Sequence, residues 1–335
     1  MEEFLMKKIL VCFLAVTIML GTVLSDGVVV FAKTPVSQHG RLQVKGVNLV
    51  DRKGKTFRLK GFSTHGINWF EEYVNQDAFH DLKKMGINCI RLAMYTADYN
   101  GYCSGGDKKH LESVIDKGVK ACRAEGIYVI IDWHILNDCN PNTNLKEAKK
   151  FFKKMSKRYK NYKNVLYEIC NEPNGGTTWA EIKKYAKKII KVIRANDKKA
   201  IIIVGTPNWS QRIDEAANSP IKGQKNIMYA MHFYAATHKA DLRNLIPAAR
   251  KKGLPVFISE CNITEASGNG RIDKAEGKRW FQTIRKYKLS CVAWSFCNKD
   301  ESASLIKPSV KKIKGIKKKD LSKTGKWFVK TIGWI

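Results

Sequence analysis

The chain has 335 residues, of which 44% are hydrophobic and only 8 are proline. This composition excludes a disordered or low-complexity chain and is sufficient for one large hydrophobic core. The 61 Lys and Arg residues outnumber the 30 Asp and Glu residues, which gives a formal net charge of +31.

Such a charge raises the question of nucleic-acid binding. The lysines, however, are spread over the predicted helices, and the one dense basic block, at 307–319, carries no nucleic-acid motif and no interleaved aromatic residues. We therefore predict a solvated basic surface that attracts anionic cell-wall polymers, and no nucleic-acid partner.

The N-terminal segment has the pattern of a signal peptide. A basic stretch at 6–8 precedes an uncharged, largely apolar stretch at 9–24, and residues 30–32 match the motif that a signal peptidase recognises. We predict that residues 1–32 are removed on secretion into the extracellular space, with residues 23–25 as a second candidate cleavage motif. A retained membrane anchor is the alternative, but the apolar run is shorter than the roughly 20 residues of a membrane span.

The nine cysteines stand singly along the chain, and no C-x-x-C pair is present. Zinc sites and disulfide scaffolds both require clustered or regularly spaced cysteines, so the sequence favours neither.

The predicted elements follow one another in a regular order. Residues 33–40 are predicted as a linker, and a single domain over 41–335 then opens with short strands at 42–45 and 48–50. The later strands are predicted at 56–61, 88–94, 128–132, 165–169, 200–204, 227–233, 255–259 and 291–295, and the helices at 77–85, 109–125, 145–159, 179–196, 211–217, 240–251, 272–286 and 323–332.

Eight strands that alternate with helices indicate an α/β fold, and specifically a closed (β/α)8 TIM barrel rather than an open sheet. Stretches such as 128–131 and 201–204 are continuous apolar runs. Such runs are expected of parallel strands that are covered on both faces.

Polar and aromatic residues recur where the predicted strands end. In barrels of this kind the chemistry lies at the C-terminal ends of the strands. A histidine or tryptophan at one such place is commonly structural, but here all eight strand ends carry a His, Arg, Tyr, Trp, Asn or Glu. The residues are His65, Arg91, Tyr95, Asp132, Trp133, His134, Asn171, Glu172, Trp209, His232, Tyr234, Glu260 and Trp294.

Two of these residues are glutamates on distant strands. Glu172 lies in an Asn-Glu-Pro stretch, where Pro173 ends the strand because it cannot donate a ladder hydrogen bond, and Glu260 ends a second apolar run. A pair of carboxyl groups is what glycoside hydrolysis requires, and tryptophan faces can stack on sugar rings. The sequence contains no phosphate-binding glycine loop or dinucleotide fingerprint.

A metal site is the competing interpretation of the strand-end histidines. His65, His134 and His232 come from three separate strand ends, and no H-x-H spacing occurs. We therefore predict no metal and no cofactor.

With these residues assembled, the sequence resembles the glycoside hydrolase family 5 endoglucanases of the bacterial secreted cellulase type, over about 41–335. The matching stretches are LKGFSTHG at 59–66, IRLAMY at 90–95, VIIDWH at 129–134, YEICNEP at 167–173, MHFY at 231–234 and ISE at 258–260. The resemblance implies a secreted endo-β-1,4-glucanase that cleaves internal β-1,4-glucosidic bonds by a retaining double displacement.

The resemblance also implies a role for each matching residue. Glu172 is expected to be the general acid/base and Glu260 the nucleophile. Arg91 and Tyr234 are expected to contact Glu260, and Asn171 is expected to bond the sugar 2-hydroxyl.

The remaining residues are implied to bind substrate. His134 and His232 are expected to line the cleavage subsite, and Trp294 to form its floor. Tyr95 is expected to bind substrate without a more specific role. The resemblance places the rest further out: Trp69 and His65 on the glycone side, Lys299 and Glu301 as a pair that reads hydroxyl groups there, and Trp209 as the aglycone platform.

Alternatives remain open at this point. A β-mannanase, a xyloglucanase or a mixed-linkage glucanase would use the same fold and chemistry. A non-catalytic carbohydrate-binding surface protein is a different class, which the basic charge alone favours. In either case a polysaccharide is the expected partner, a monomer is the expected state, and no membrane span is expected after signal cleavage.

Overall fold

The computed structural model describes residues 33–333, and the predicted signal peptide lies outside them. The hairpin consists of β1 (Gln43–Lys45) and β2 (Asn48–Val50). The eight strands that follow close into a parallel barrel, as predicted. They are β3 (Lys60–Thr64), β4 (Cys89–Tyr95), β5 (Tyr128–His134), β6 (Val165–Glu168), β7 (Ile202–Val204), β8 (Ile227–Tyr234), β9 (Val256–Asn262) and β10 (Cys291–Phe296).

Helices surround the barrel. They are α1 (Pro35–His39), α2 (Gln76–Lys84), α3 (Lys108–Glu125), α4 (Leu145–Tyr159), α5 (Trp179–Arg194), α6 (Pro207–Ser210), α7 (Ile213–Asn218), α8 (Ala240–Arg243), α9 (Leu245–Lys251), α10 (Lys274–Lys286) and α11 (Lys323–Ile332). Short 3-10 turns lie at Glu71–Tyr73 and Lys318–Asp320. Between residues 33 and 333, no helix has the length and apolar character needed to cross a bilayer.

Helix α5 shows how these sequences form their helices. Thr178 accepts a hydrogen bond from the Glu181 backbone N–H, and the Glu181 side chain accepts one from the Thr178 backbone, which forms a capping box. Ile182, Ile189 and Ile193 recur at helical spacing and are buried. The five lysines of the helix lie toward the opposite, solvated side and contribute part of the excess positive charge.

The barrel interior is filled by side chains from alternate strand positions, including Ile130, Leu166 and Phe257. Leu42 and Leu49 of the hairpin pack into the same cluster. The hairpin therefore closes the N-terminal end of the barrel and leaves the C-terminal end free for a site.

The segment 56–61, predicted to complete the hairpin and to form the first barrel strand, divides between these two roles. Thr56 forms an isolated antiparallel bridge with Val50, and the Phe57 N–H donates to the Leu49 carbonyl. These residues thus extend the hairpin, and the barrel strand begins at Lys60. An apolar alternation cannot distinguish the two pairings, since both use extended backbone.

Two further differences have local causes. The predicted linker contains α1, where the Val36 N–H donates to the Gly126 carbonyl at 2.9 Å. The helix predicted at 240–251 is divided into α8 and α9 around Asn244. Pro247 lies in the first turn of α9, where its missing N–H has no helical partner to lose.

Gly205 allows close contact beneath the strand end that carries Glu172. A Cβ atom at this position would lie 2.0 Å from the Cys170 carbonyl oxygen and 2.9 Å from Cδ of Pro173. Backbone atoms cannot move aside by a rotamer change, so this glycine is required by packing.

We predict that Gly205→Ala lowers the free energy of unfolding by about 1–3 kcal/mol, because the overlap forces a backbone shift. Urea unfolding measures this change. Gly333→Ala is the matched control, because Gly333 has a helical φ of −63° and its nearest neighbouring atom would lie 3.9 Å from the new Cβ. Equal unfolding midpoints for the two variants would contradict the packing role of Gly205.

Candidate active site

A cleft of about 640 Å³ lies at the C-terminal end of the barrel. The residues that the sequence marked for the site line this cleft, except Arg91, Asp132, Trp133 and Asn171, which are fully buried. The lining residues from that assignment are His65, Trp69, Tyr95, His134, Glu172, Trp209, His232, Tyr234, Glu260, Trp294, Lys299 and Glu301.

Glu172 and Glu260 face each other across this cleft. Glu172 follows β6 and Glu260 lies in β9, and a carboxylate oxygen of each lies within 4.8 Å of the other. This spacing is well below the roughly 6.5–9.5 Å of inverting glycosidases and close to the roughly 5–5.5 Å of retaining ones. Burial and the charge of Glu260 raise the pKa of Glu172, which His232 partly opposes.

Both carboxylate oxygens of Glu260 accept hydrogen bonds. Arg91 Nη1 donates to Oε2 at 3.1 Å, and the Tyr234 hydroxyl donates to Oε1 at 2.7 Å. Burial and the charge of Glu260 raise the pKa of Tyr234 well above its usual value, so the hydroxyl remains a donor. These two contacts hold the Glu260 carboxylate in one orientation.

His232 connects Glu172 to the barrel interior. Its Nδ1 lies 2.9 Å from Glu172 Oε1, and its Nε2 lies 2.9 Å from Ser259 Oγ and 3.7 Å from Glu168 Oε1. Burial lowers the pKa of His232, but its contacts with Glu168 and Glu172 outweigh this and raise the pKa to about 9. His232 is therefore a cation at neutral pH and donates a proton toward Glu172.

Beneath the cleft, the fully buried Arg91 is shared by several acids. Its Nε donates to Glu168 Oε2 at 2.7 Å, and its Nη2 lies 3.0 Å from Asp132 Oδ2. Burial raises the pKa of Glu168, but Arg91 and His232 outweigh it and bring the pKa to about 2. Burial raises the pKa of Asp132 well above its usual value, because one guanidinium cannot compensate three buried carboxylates.

Glu168 is a residue of this network that the sequence analysis missed, and Asp132 was marked at a strand end but was given no role. A signal was present, because a carboxylate inside a strand that is otherwise apolar needs a buried cation as a partner. The strand register supports a shared cation for these two acids, because Asp132 on β5 pairs directly with Glu168 on β6. Asp98 and His238 also line the cleft from loops, where no strand-end pattern marks them.

Asn171 lies below the cleft surface and is engaged by protein groups. Its Oδ1 accepts from Arg91 Nη2 at 2.6 Å, and its Nδ2 donates to the Ile135 carbonyl at 3.1 Å and lies 3.2 Å from His134 Nε2. Burial and Arg91 lower the pKa of His134 to about 3, so its ring is neutral. Because the Asn171 amide donates to His134 Nε2, the ring proton lies on Nδ1, which donates to Asp132 Oδ2 at 2.6 Å.

Aromatic rings form one wall of the cleft. The Trp294 ring is stacked on His134 with centroids 5.2 Å apart, and the Trp69 ring lies 4.6 Å from Tyr95. The Trp294–Ser295 peptide bond is cis. These rings present flat apolar faces to whatever occupies the cleft.

Two charged residues lie beside this wall. Lys299 Nζ lies 2.6 Å from Glu301 Oε2, and Glu301 Oε1 lies 3.9 Å from His65 Nε2. Burial and then Lys299 lower the pKa of His65 to about 3, so this ring is neutral. The pair is held at the cleft and is not an isolated surface ion pair.

Trp209 lies on another part of the rim. Its side chain is 44% exposed, although most large apolar side chains of the described chain are buried. Its φ is +56°, as is that of Ser210, a conformation that costs free energy for residues other than glycine. Strain of this kind is commonly retained for function.

Glu172, His232 and Glu260 are also the residues that could hold a metal ion, since one donor atom from each lies within 4.8 Å of the others. A metal ligand must be a deprotonated imidazole nitrogen. Both nitrogens of His232 are in hydrogen bonds, and its raised pKa keeps the ring protonated. The arrangement suits proton transfer between acids better than metal binding.

Comparisons with known proteins agree with this geometry. The family model described as Cellulase (glycosyl hydrolase family 5) matches residues 50–300. The chain is 45% identical over 298 residues to endoglucanase A of Butyrivibrio fibrisolvens, which covers 88% of this chain and 69% of that protein. It is 42% identical over 331 residues to an endoglucanase of Clostridium saccharobutylicum, with 98% and 72% covered.

A solved structure supports the same conclusion. The catalytic domain of Thermobifida fusca endoglucanase Cel5A, in a complex with cellotetraose, has a TM-score of 0.83 and 34% sequence identity. The similarity covers 90% of this chain and 100% of that domain. From the closed barrel, the paired carboxylates and these matches, we conclude that the chain belongs to glycosyl hydrolase family 5, the cellulase family.

Proposed function

We propose that this protein is a secreted endo-β-1,4-glucanase that hydrolyses internal β-1,4-glucosidic bonds with retention of anomeric configuration. The observation that carries the proposal is the approach of a Glu172 oxygen to within 4.8 Å of a Glu260 oxygen across an open cleft. The endoglucanase relatives and the cellotetraose complex of the structural neighbour support the choice of β-1,4-glucan.

In the first step, Glu260 attacks the anomeric carbon and forms a covalent glycosyl–enzyme bond. The glycosidic C–O bond breaks, and the departing oxygen takes the proton of Glu172. The raised pKa of Glu172 favours the protonated form that this step needs.

In the second step, Glu172 is ionised and takes a proton from a water molecule. The water oxygen attacks the anomeric carbon, and Glu260 leaves as a carboxylate. His232, as a cation 2.9 Å away, stabilises the ionised Glu172 in this interval. Arg91 does the same for Glu260 when the carboxylate is released.

Glu168 acts as a positioning residue in this scheme. It contacts Arg91, which holds Glu260, and it lies near His232, which holds Glu172. One buried carboxylate therefore supports both groups that orient the reacting pair.

The remaining roles concern the polysaccharide. Trp294 provides the floor on which the sugar at the cleavage point lies, and Trp209 provides a stacking face on the aglycone side. Lys299 and Glu301 offer a donor and an acceptor to sugar hydroxyl groups. Asn171 is proposed to bond the 2-hydroxyl, which requires an amide now bonded to Ile135 to turn toward the sugar.

The location and state of the protein form part of the proposal. Secretion is supported by the basic and apolar pattern of residues 1–32, and N-terminal sequencing of the exported protein tests it. A monomer is proposed, and sedimentation at several concentrations tests it.

The substrate is tested by the products formed from cellulose, carboxymethylcellulose, mixed-linkage glucan, xyloglucan, mannan and xylan. We expect short cello-oligosaccharides from carboxymethylcellulose, and slower release from mannan and xylan. Faster release from mannan or xyloglucan would identify a different specificity on the same fold.

We predict that Glu172→Ala lowers kcat on carboxymethylcellulose by about 10²–10⁴-fold. Glu260→Ala should remove nearly all hydrolysis, because no covalent intermediate can form. Glu72→Ala is the matched control, since Glu72 is an exposed acid outside the cleft lining. Proton NMR of the wild-type reaction should show the β-anomer first, and an initial α-anomer would contradict retention.

We predict that Glu168→Gln shifts the basic limb of the kcat/KM–pH profile to higher pH. Without the Glu168 charge, the pKa of His232 falls and its cation is lost near neutral pH, so the pKa of Glu172 rises and the acid stays protonated longer. Misplacement of the acids should also lower kcat by about 10- to 100-fold.

Glu112→Gln provides the control for this variant, because Glu112 is a buried acid on α3 that contacts Tyr102 and Lys154 and not the cleft. Its profile should match the wild-type profile. A lower rate for Glu168→Gln with no shift of the basic limb would indicate a purely structural role for Glu168.

We predict that Trp209→Ala raises KM for soluble β-glucan by about 2- to 12-fold, which corresponds to the loss of about 0.5–1.5 kcal/mol of ring contact. The kcat value should change little, since Trp209 lies at the rim. Tyr99→Ala is the control, because Tyr99 is 78% exposed but does not line the cleft. An equal rise in KM for both variants would contradict the platform role.

A further inference from the structure

A second, larger cavity of about 1330 Å³ lies at the N-terminal end of the barrel, away from the cleft. Its walls are the segments that lead into the strands: residues 40–46 before β2, 160–163 before β6, 196–199 before β7, 224–226 before β8 and 252–255 before β9. None of these segments contributes to the site described above.

The walls of this cavity carry mainly positive charge. Nine lysine and arginine residues line it, and Asp197 is the one acid among the lining residues. The nine are Arg41, Lys45, Arg52, Lys160, Lys163, Lys198, Lys199, Lys225 and Lys252. The catalytic cleft has the opposite character, with four acids and one lysine in its lining.

Asp197 is already compensated within the protein. Arg41 Nη1 lies 2.8 Å from its Oδ2, and Arg41 Nη2 donates to the Lys160 and Tyr162 carbonyls. All seven lining lysines are exposed and form no ion pair within the described part of the chain, and Lys252 donates to Asn218 Oδ1. The other six form no side-chain hydrogen bond among the described residues either. They are Lys45, Lys160, Lys163, Lys198, Lys199 and Lys225.

The loops that carry these lysines are held in place. Asn226 Oδ1 accepts from the Val44 N–H at 2.9 Å, and its Nδ2 donates to the Lys199 carbonyl at 3.0 Å. The Tyr229 hydroxyl accepts from the Ile221 N–H and is buried. The cavity is thus a formed concavity, in which uncompensated like charges repel one another until an anion binds.

The lining indicates what kind of anion fits. No exposed aromatic ring lies among the lining residues, so neither a neutral glycan nor unpaired bases find a stacking face. Seven of the nine cations are lysines, which act as separate point charges rather than as bidentate forks. Singly charged carboxylates spaced along a polymer match these separate lysine charges.

We propose that this cavity, here named the basal basic cavity, binds an acidic polysaccharide that carries a carboxylate on successive sugars. The inference rests on the proposed function, because a glucanase at a cell wall meets β-glucan and acidic polymers together. Since the basal basic cavity and the cleft lie at opposite ends of the barrel, a bound acidic chain leaves the cleft open to the glucan.

The test compares two triple variants of the full chain. Lys198→Glu, Lys199→Glu and Lys225→Glu reverse charges in the basal basic cavity. Lys109→Glu, Lys117→Glu and Lys330→Glu make the same net charge change at exposed lysines outside it. Binding to polygalacturonate is measured by affinity electrophoresis at low and high salt, and hydrolysis of a neutral soluble β-glucan is measured in parallel.

We expect the cavity variant to bind polygalacturonate at least about 10-fold more weakly, and the control variant to bind within about 2-fold of wild type. Both should hydrolyse neutral β-glucan as the wild type does, which also shows that they fold. Equal weakening in both variants would overturn the proposal in favour of a delocalised charge effect.

Two other results would also overturn the proposal. Tighter binding of polyphosphate or single-stranded DNA than of polygalacturonate would assign the cavity to a phosphate polymer. If the wild-type protein does not bind polygalacturonate, the proposed site does not exist. If neither the wild type nor any variant hydrolyses β-glucan, the proposed function is overturned instead. The result on polygalacturonate binding would not be affected.

Discussion

The buried guanidinium of Arg91 is the interaction on which the site depends. It lies within hydrogen-bond distance of Asp132, Glu168 and Glu260, and it also donates to Asn171. A charge at that depth is tolerated only because acids surround it, and those acids are tolerated only because of it. Removal of one of these charged groups therefore leaves the others uncompensated. The network also fixes the direction in which Glu260 points.

This network also gives the two facing acids, Glu172 and Glu260, different surroundings. Glu260 accepts from a cation and a tyrosine hydroxyl, whereas Glu172 has a raised pKa and a single charged partner, His232. Two carboxyl groups with different surroundings can divide the roles of nucleophile and proton donor. The parallel barrel makes this possible, because strands distant in sequence end at the same rim.

Much of this arrangement could be predicted from the sequence. The alternation of strands and helices predicted the closed barrel, and the polar residues at strand ends predicted which side chains meet in the cleft. Both signals are local, since a strand end is marked by its own residues. The start of the first barrel strand was misplaced for the same reason: local pattern cannot tell a hairpin extension at Thr56 from a barrel strand at Lys60.

The parts that escaped prediction depend on contacts between strands. Glu168 sits inside an apolar strand, and only its approach to Arg91 and His232 gives it a role. The basal basic cavity likewise arises where separate loops meet, although its lysines are spread along the sequence.

The mechanism requires that Glu260 bonds the sugar covalently. Mass spectrometry of the protein after reaction with a 2-fluoro cellobiosyl fluoride is the direct test of that bond. We expect a glycosyl adduct on the peptide containing Glu260, and an adduct on Glu172 or none at all would show that Glu260 is not the nucleophile.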